Sequence, residues 1–445
     1  MASLAELLKG PIYQAYSYSY PHKTAYRKLT KPLDLRSQWL REDKERLFLY
    51  VHVPFCEMRC GFCNLLAMAR PQNELVTQWL DALQRQAEVV SNLLEDYQFT
   101  RFAVGGGTPS YLTVEQLANL FQVVEDIGLN VEVVPTSVEV SPTTIDDKKL
   151  KLLQHRGVDR ISIGIQSFQE NELRAIGRPL TRPQIDQALN QIKTISPSVL
   201  NIDLIYGIPG QTEQSWLTSL DRALHYDPQE LYLYPLYVRA NTGLGRINHV
   251  QATLNANKSL NSHTLQLYRA GRDYLLSRGY QQNSMRMFSL PEQSKPTLEY
   301  SCQNDGMIGL GIGARSYTRT LHYSSRYASK RLDIETLINH YAEQSSEAFK
   351  HADYGYFLSE SEQQRRFLLQ SLFLTNGLDC KEFYDRFNIE VFCAFPELRE
   401  LFELKLTYLN DEKLTLTATG LERSDMLAPW LASEEVKREM MGVAI

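Results

Sequence analysis

Between Leu47 and Val238, short apolar runs rich in β-branched and aromatic residues alternate with longer stretches whose apolar positions recur every three or four residues, about six times over. The short runs predict strands over Phe48–Val53, Phe99–Val104, Ser137–Val140, Ile161–Ile165, Leu200–Ile205 and Leu231–Leu236. Most are apolar at consecutive positions, the pattern of strands buried on both faces of a parallel sheet. The longer stretches predict helices. From Glu74 to Asp96 the residues Leu75, Trp79, Leu80, Leu83, Ala87 and Val90 form one helical stripe. Thr113 offers an N-cap to a helix carrying Leu117, Leu120, Phe121 and Val124. Further helices are expected over Lys149–Leu153, Pro183–Ile192 and Glu213–Leu224, the last capped by Thr212. Six strand–helix units in a row predict an α/β fold, a partial or complete (βα) barrel. In such folds the chemistry collects in loops that follow the C-terminal ends of the strands.

Outside this rhythm the pattern changes. Residues 1–46 carry Tyr13, Tyr16, Tyr18, Tyr20 and Tyr26, with Pro21 and His22 interrupting any period, and predict an irregular Tyr-rich arm across the barrel. His22 and Lys23 either pack within that arm or shape a substrate mouth. The barrel is expected over 47–255. An extension over 256–350 has a helix at Leu265–Leu276 and a glycine-rich turn at Gly306–Tyr317. Residues 351–445 predict helices over Ser361–Leu374, Lys381–Phe387 and Pro396–Leu406. A hairpin of Leu406–Leu409 and Leu414–Thr417 turns about Asn410–Asp411. That order suggests a small C-terminal winged-helix-like α+β domain.

A chain of 445 residues exceeds what one core usually organises, which supports a large unit with a smaller one. The net charge of -5, with signs interspersed, leaves no basic footprint for nucleic acid or an anionic membrane. Met1–Gly10 lacks the basic start and long apolar run of a secretory signal, and no stretch approaches the roughly 20 apolar residues that a bilayer span needs. A cytoplasmic protein is expected, with no nucleic-acid or membrane partner. Six cysteines are too few for a disulfide scaffold in a chain of this length, and three of them crowd into eight positions.

Those three are Cys56, Cys60 and Cys63, in Tyr50-Val-His-Val-Pro-Phe-Cys56-Glu-Met-Arg-Cys60-Gly-Phe-Cys63, on the loop leaving the first strand. Thiolates are the natural ligands of iron–sulfur irons, and three on one short loop can embrace a single [4Fe-4S] cluster. Four irons and three protein ligands leave one iron open, as a catalytic metal requires. The alternatives are zinc or three reduced core cysteines. Zinc would want a fourth ligand, and Cys302, Cys380 and Cys393 stand far off in sequence. His52 is near, though on a strand it reads equally as a buried, hydrogen-bonded histidine.

This spacing, after a strand and within six βα units, resembles the radical S-adenosylmethionine (SAM) superfamily, and Tyr50–Cys56 resembles the family of oxygen-independent coproporphyrinogen III oxidase. The similarity runs from about Leu47 through Pro235, and more loosely beyond. It implies a partial (βα)6 TIM-like radical SAM barrel, a [4Fe-4S] cluster on Cys56, Cys60 and Cys63, and SAM on the open iron. In the family, the turn Gly105-Gly106-Gly107-Thr108-Pro109 holds the SAM amino group, its glycines letting backbone amides and carbonyls approach the ligand. Glu139 matches a residue contacting the same SAM, and Tyr50, Gly106 and Thr108 are assigned to cofactor binding with it. Phe62, Gly107, Gln166, Arg178, Asp203 and Pro235 match positions around a second SAM. Taken as residues alone, Glu139 reads also as a solvated loop charge, and Arg178 with Asp203 as a structural bridge.

The resemblance implies reductive cleavage of SAM to a 5′-deoxyadenosyl radical, an electron donor such as flavodoxin or ferredoxin, a small-molecule substrate and a monomer. The chain departs from the family in two places. Asn64-Leu65 stands where the porphyrinogen enzyme has a further cysteine, which weighs against porphyrinogen decarboxylation. Tyr300-Ser-Cys302-Gln303-Asn304-Asp305-Gly306-Met307 lacks the histidine of the haem-chaperone relatives. That stretch looks more like radical SAM methylases and cyclopropanases, which use two SAM molecules. Three readings therefore stand: an oxidoreductase on a small organic or tetrapyrrole-like substrate, a C-methyltransferase or cyclopropanase, and a haem-binding chaperone without turnover. Cys302 reads as a substrate-side thiol or, more simply, as a small buried side chain.

Overall fold

The computed structural model describes residues 3–13, 19–239, 242–247, 258–291, 302–303, 305–326, 328 and 330–441. Tyr16, Tyr18, Tyr300, Ser301 and Asn304 lie outside the described residues. Thirteen strands form one large sheet: β1 Arg27–Asp34, β2 Leu47–Val53, β3 Phe99–Gly106, β4 Thr136–Val140, β5 Arg160–Gln166, β6 Val199–Tyr206, β7 Glu230–Pro235, β8 Gln281–Gln282, β9 Met287–Ser289, β10 Met307–Leu310, β11 Arg315–Tyr317, β12 Leu321–Ser324 and β13 His351–Phe357. Their order across the sheet is β1-β13-β12-β11-β10-β2-β3-β4-β5-β6-β7-β9-β8. The six expected strands are β2 to β7, all parallel to one another. This is the partial barrel, and the antiparallel strands extend it at both edges.

Each helix forms where its apolar stripe can cover that sheet. Asn73–Leu94 buries Val76, Trp79, Leu80, Leu83, Ala87 and Val90, leaving Leu75 half-covered. Thr113 and Gln116 form a capping box at the start of Val114–Asp126, and Thr212 caps Glu213–Leu224. The helix expected at Lys149–Leu153 spans Asp147–His155, and the one at Pro183–Ile192 spans Arg182–Ile195. The one at Leu265–Leu276 begins earlier, at Lys258.

Three segments differ from expectation. The arm is not irregular throughout: β1 pairs antiparallel with β13, Arg27 facing Gly355 and Asp34 facing His351. Its alternating exposure, with Pro32 inside, is that of an edge strand. The expected glycine-rich turn is a strand, a turn and a strand, and β10 runs parallel to β2 with Ile308 opposite Leu49, adding a seventh parallel strand. Finally, β13 opens the segment expected as the C-terminal domain yet sits in the large sheet. The C-terminal unit proper starts at helix Glu360–Leu372. It continues through Cys380–Phe387 and Leu398–Glu403 to a hairpin of Thr407–Asn410 and Lys413–Leu416. Asp411 and Glu412 both take positive φ at the hairpin tip, and Leu378–Asp379 adds a third strand. Tyr20 on the arm hydrogen-bonds Glu362 on the first of these helices.

Among the described residues no helix is long and apolar enough to cross a membrane.

Candidate active site

The loop after β2 brings Cys56, Cys60 and Cys63 to the C-terminal rim of the parallel strands, facing a cavity of about 510 Å³. Backbone contacts hold it there. Gly61 N–H donates to the Ile176 carbonyl at 2.9 Å, and Leu244 N–H donates to the Gly61 carbonyl at 2.8 Å. A Cβ on Gly61 would stand 2.8 Å from the Ile176 oxygen, so only glycine lets the loop lie this close.

Cys56 and Cys60 are buried and Cys63 half-buried, all as free thiols. Burial pushes the Cys56 thiol up to about 12 and raises Cys63, so both are protonated in the apoprotein and would release protons on binding iron. Two donors point at the sulfurs: Thr108 Oγ1 lies 3.4 Å from Cys56 Sγ, and Arg178 Nη1 lies 3.1 Å from Cys60 Sγ. Hydrogen bonds to sulfur are what a protein uses to tune an iron–sulfur cluster. Among the described residues no three His, Cys, Asp or Glu side chains converge as the ligands of one metal ion would. That bears on a single ion such as zinc and not on a cubane, whose three protein ligands each take a separate iron. Three thiols on one pinned loop, with donors aimed at two sulfurs, fit such a cluster.

Around the thiols stand the strand ends. On β2, His52 is buried with Nε2 2.9 Å from the Leu66 carbonyl, and burial lowers its pKa to about 4. The neutral ring donates from Nε2 and so can accept at Nδ1, 3.4 Å from the Tyr50 hydroxyl. At the end of β3 the amides expected to be open to a ligand are engaged: Gly106 N–H donates to Glu139 Oε2 at 3.2 Å, Gly107 to the Val53 carbonyl at 2.7 Å and Thr108 to the Phe55 carbonyl at 2.8 Å. What this turn can still offer is carbonyl oxygen, which suits a cationic amino group.

Glu139 on β4 opens onto the cavity, so water reaches it, but protein surrounds it on the other sides. That enclosure, and secondarily Asp203, raises its carboxyl to about 7. Asp203 on β6 is pushed up to about 6 by burial, opposed by the Asn201 amide 2.8 Å away and by Arg160. Gln166 ends β5 at φ 73°, a left-handed conformation that β-strand residues avoid, and its amide folds back over Gly164. Arg178 makes no ion pair with Asp203; its Nη2 donates to the Gly164 carbonyl at 2.6 Å and to Ser141 Oγ at 3.3 Å. Its Nε is buried without a hydrogen-bond partner among the described residues.

All thirteen residues singled out from the sequence line this one cavity: Cys56, Cys60, Cys63, Tyr50, Phe62, Gly106, Gly107, Thr108, Glu139, Gln166, Arg178, Asp203 and Pro235. Cys302 does not line it. Ser141, Tyr237, Arg239 and Arg315 also line it, outside every motif of the sequence. The one signal available was position, since Ser141 and Tyr237 each follow directly on a strand end.

A family model described as the radical SAM superfamily matches residues 50–223. The chain is 26% identical over 439 residues to the oxygen-independent coproporphyrinogen III oxidase of Escherichia coli (strain K12), covering 92% of this chain and 91% of that one. It is also 26% identical over 390 residues to the heme chaperone HemW of Lactococcus lactis, covering 84% and 94%. Among solved structures, coproporphyrinogen III oxidase (HemN) from Escherichia coli superposes with a TM-score of 0.81 at 23% identity, over 97% of this chain and 99% of that one.

Proposed function

We propose, for a chain that belongs to the radical SAM superfamily and within it to the HemN and HemW family, that it is an enzyme acting on a small organic or tetrapyrrole-like substrate. The observation that carries this reading is the convergence of the cysteine loop with Glu139, Gln166, Arg178 and Asp203 on one cavity. Cys56, Cys60 and Cys63 would hold the [4Fe-4S] cluster. When bound, the cluster and SAM would together supply a hydrogen-abstracting carbon radical, with electrons from a donor such as flavodoxin or ferredoxin.

The chain's own residues do the positioning. Glu139, fixed by Gly106 N–H, offers a carboxylate to the cationic amino group of SAM, and the carbonyls of the glycine turn offer further acceptors. Arg178 lines the cavity, and its two terminal nitrogens hold the cysteine loop against β5. Phe62, Gln166, Asp203 and Pro235 line the same cavity and would contact a second SAM, which is compatible with the methylase or cyclopropanase alternative, although the coproporphyrinogen enzyme shares these positions. Resemblance to HemW supports the other alternative, a haem-binding chaperone without turnover.

Anaerobic reconstitution tests the cluster reading. The protein should take up about four irons and four sulfides, and adding SAM should change the electron paramagnetic resonance of the reduced cluster. Cys60→Ala should lose both. Iron binding that is indifferent to SAM would contradict the reading. With a substrate in hand, S-adenosylhomocysteine among the products would select the methylase branch, and carbon dioxide without it the oxidoreductase.

A further inference from the structure

Cations outnumber carboxylates around the cavity. Glu139 and Asp203 are its two carboxylates, whereas Lys23, Arg59, Arg178, Arg239, Arg315 and Arg326 all line it. Lys23, Arg239 and Arg315 line it together with the buried His22. In a chain of net charge -5 such a wall is not average surface, and an excess of one sign of charge in a cavity concentrates ligands of the other.

One of the three cations has a built support. The Arg239 guanidinium lies 5.7 Å from the centroid of the Tyr237 ring, in cation–π range. Tyr237 lines the cavity, and its hydroxyl donates to Asp425 and accepts from Arg286 Nη2 at 2.7 Å. Arg286 also pairs with Asp425, which is fully buried on helix Ser424–Leu431 of the C-terminal unit. A buried ion pair is a weak way to add stability, because desolvation consumes most of the attraction. It is an effective way to fix where a ring sits.

We propose that Tyr237 and Arg239 form a specificity element of the cavity: the Asp425–Arg286 pair locks the Tyr237 ring, and the ring presents Arg239, beside Lys23 and Arg315, to an anionic oxygen group of the substrate. The inference rests on the proposed function, in that the ligand is the substrate of this cavity. Arg239 is the binding residue. Asp425 is a positioning residue that acts through Tyr237, and by this route the C-terminal unit takes part in the site. Carboxylate and phosphate present the same chemistry to a guanidinium, so the test separates them.

The probe is coproporphyrin III, a fluorescent tetracarboxylate, titrated into the reconstituted full-length protein beside its uncharged tetramethyl ester. The acid should bind and the ester should bind at least about tenfold more weakly, as expected when a charge-assisted contact is lost. Arg239→Ala should weaken the acid by about tenfold and leave the ester unchanged, with Arg239→Lys recovering part of the loss. Tyr237→Phe keeps the ring and cuts its tether, and should weaken the acid to an intermediate degree. Asp425→Asn should do the same if its melting temperature shows it folded; Tyr237→Phe carries the test if it is not. Displacement by citrate or by pyrophosphate supports the subsite, and the stronger competitor assigns carboxylate or phosphate. Equal binding of acid and ester, an unaffected Arg239→Ala, or no binding of any anionic probe would each overturn the proposal. SAM affinity, measured separately by calorimetry, should be unchanged in Arg239→Ala. Failure of the wild-type protein to bind SAM would count against the proposed function and not against the anion subsite.

Discussion

Arg178 donates from Nη1 to Cys60 Sγ across 3.1 Å, while Nη2 of the same side chain holds the Gly164 carbonyl at 2.6 Å. One guanidinium therefore ties the cysteine loop to the end of β5. A hydrogen-bonded cation beside a ligating sulfur favours the more negative, reduced cluster. Arg178→Ala should still assemble a cluster, but with its reduction potential moved in the negative direction and SAM binding weakened by about tenfold, the worth of one charge-assisted contact. Potentiometric titration followed by electron paramagnetic resonance checks the first effect and calorimetry the second. An unchanged potential would show that the contact does not reach the cluster.

Glu139 gives the site a pH dependence whose sign follows from its carboxyl being raised to about 7, first by enclosure and then by Asp203. A carboxyl raised in the folded state stabilises the protein below its ordinary, unfolded pKa, and that contribution is lost as pH rises through the folded value. Asp203, raised to about 6, acts in the same direction over a lower window. The apoprotein should therefore lose stability as pH rises from the ordinary carboxyl range towards 7, and Glu139→Gln should flatten the upper part of that trend. SAM binding should run the other way. If Glu139 must be ionised to bind SAM, affinity should fall about tenfold for each pH unit below 7, and not in Glu139→Gln. Calorimetric titrations across this range decide it, and a flat wild-type profile would remove Glu139 from the SAM site.

Gly107 fixes the floor beneath Cys56. A Cβ there would stand 2.5 Å from the Phe55 carbonyl and 2.9 Å from Cys56 Sγ, so Gly107→Ala must push the cysteine loop off its seat. The expected outcome is loss of most reconstituted iron, with a folded apoprotein destabilised by about 1–3 kcal/mol, as overpacking usually costs. Iron and sulfide assays with a chemical denaturation curve test both parts. Full iron loading would show that the loop accommodates the methyl group.

The barrel was legible because β2, β5 and β6 are buried parallel strands and therefore nearly continuous apolar runs. β1 and β10 were not. Arg27–Asp34 is polar at most positions because one face meets solvent, and Met307–Leu310 is four residues long inside a glycine-rich stretch. Pairing with β13 and β2, distant in sequence, makes strands of them. At the site, the cysteines and strand-end residues could be read because each stands in a motif or at a strand terminus. Lys23 could be suspected from the arm and Tyr237 from its place after a strand, but Arg239 and Arg315 carry no local pattern, and all four line one cavity only because the fold brings the arm, the end of β7 and β11 to it. The glycine turn was misread in one respect: its amides looked free in sequence, but Val53, Phe55 and Glu139 take them.

The most direct test of the enzyme reading is to incubate the reconstituted, dithionite-reduced protein with SAM under anaerobic conditions and quantify nucleosides by liquid chromatography and mass spectrometry. The wild-type protein should yield 5′-deoxyadenosine and methionine, and Cys56→Ala neither. Wild-type protein that binds the cluster and SAM, yet forms no more 5′-deoxyadenosine than Cys56→Ala, would contradict the enzyme reading.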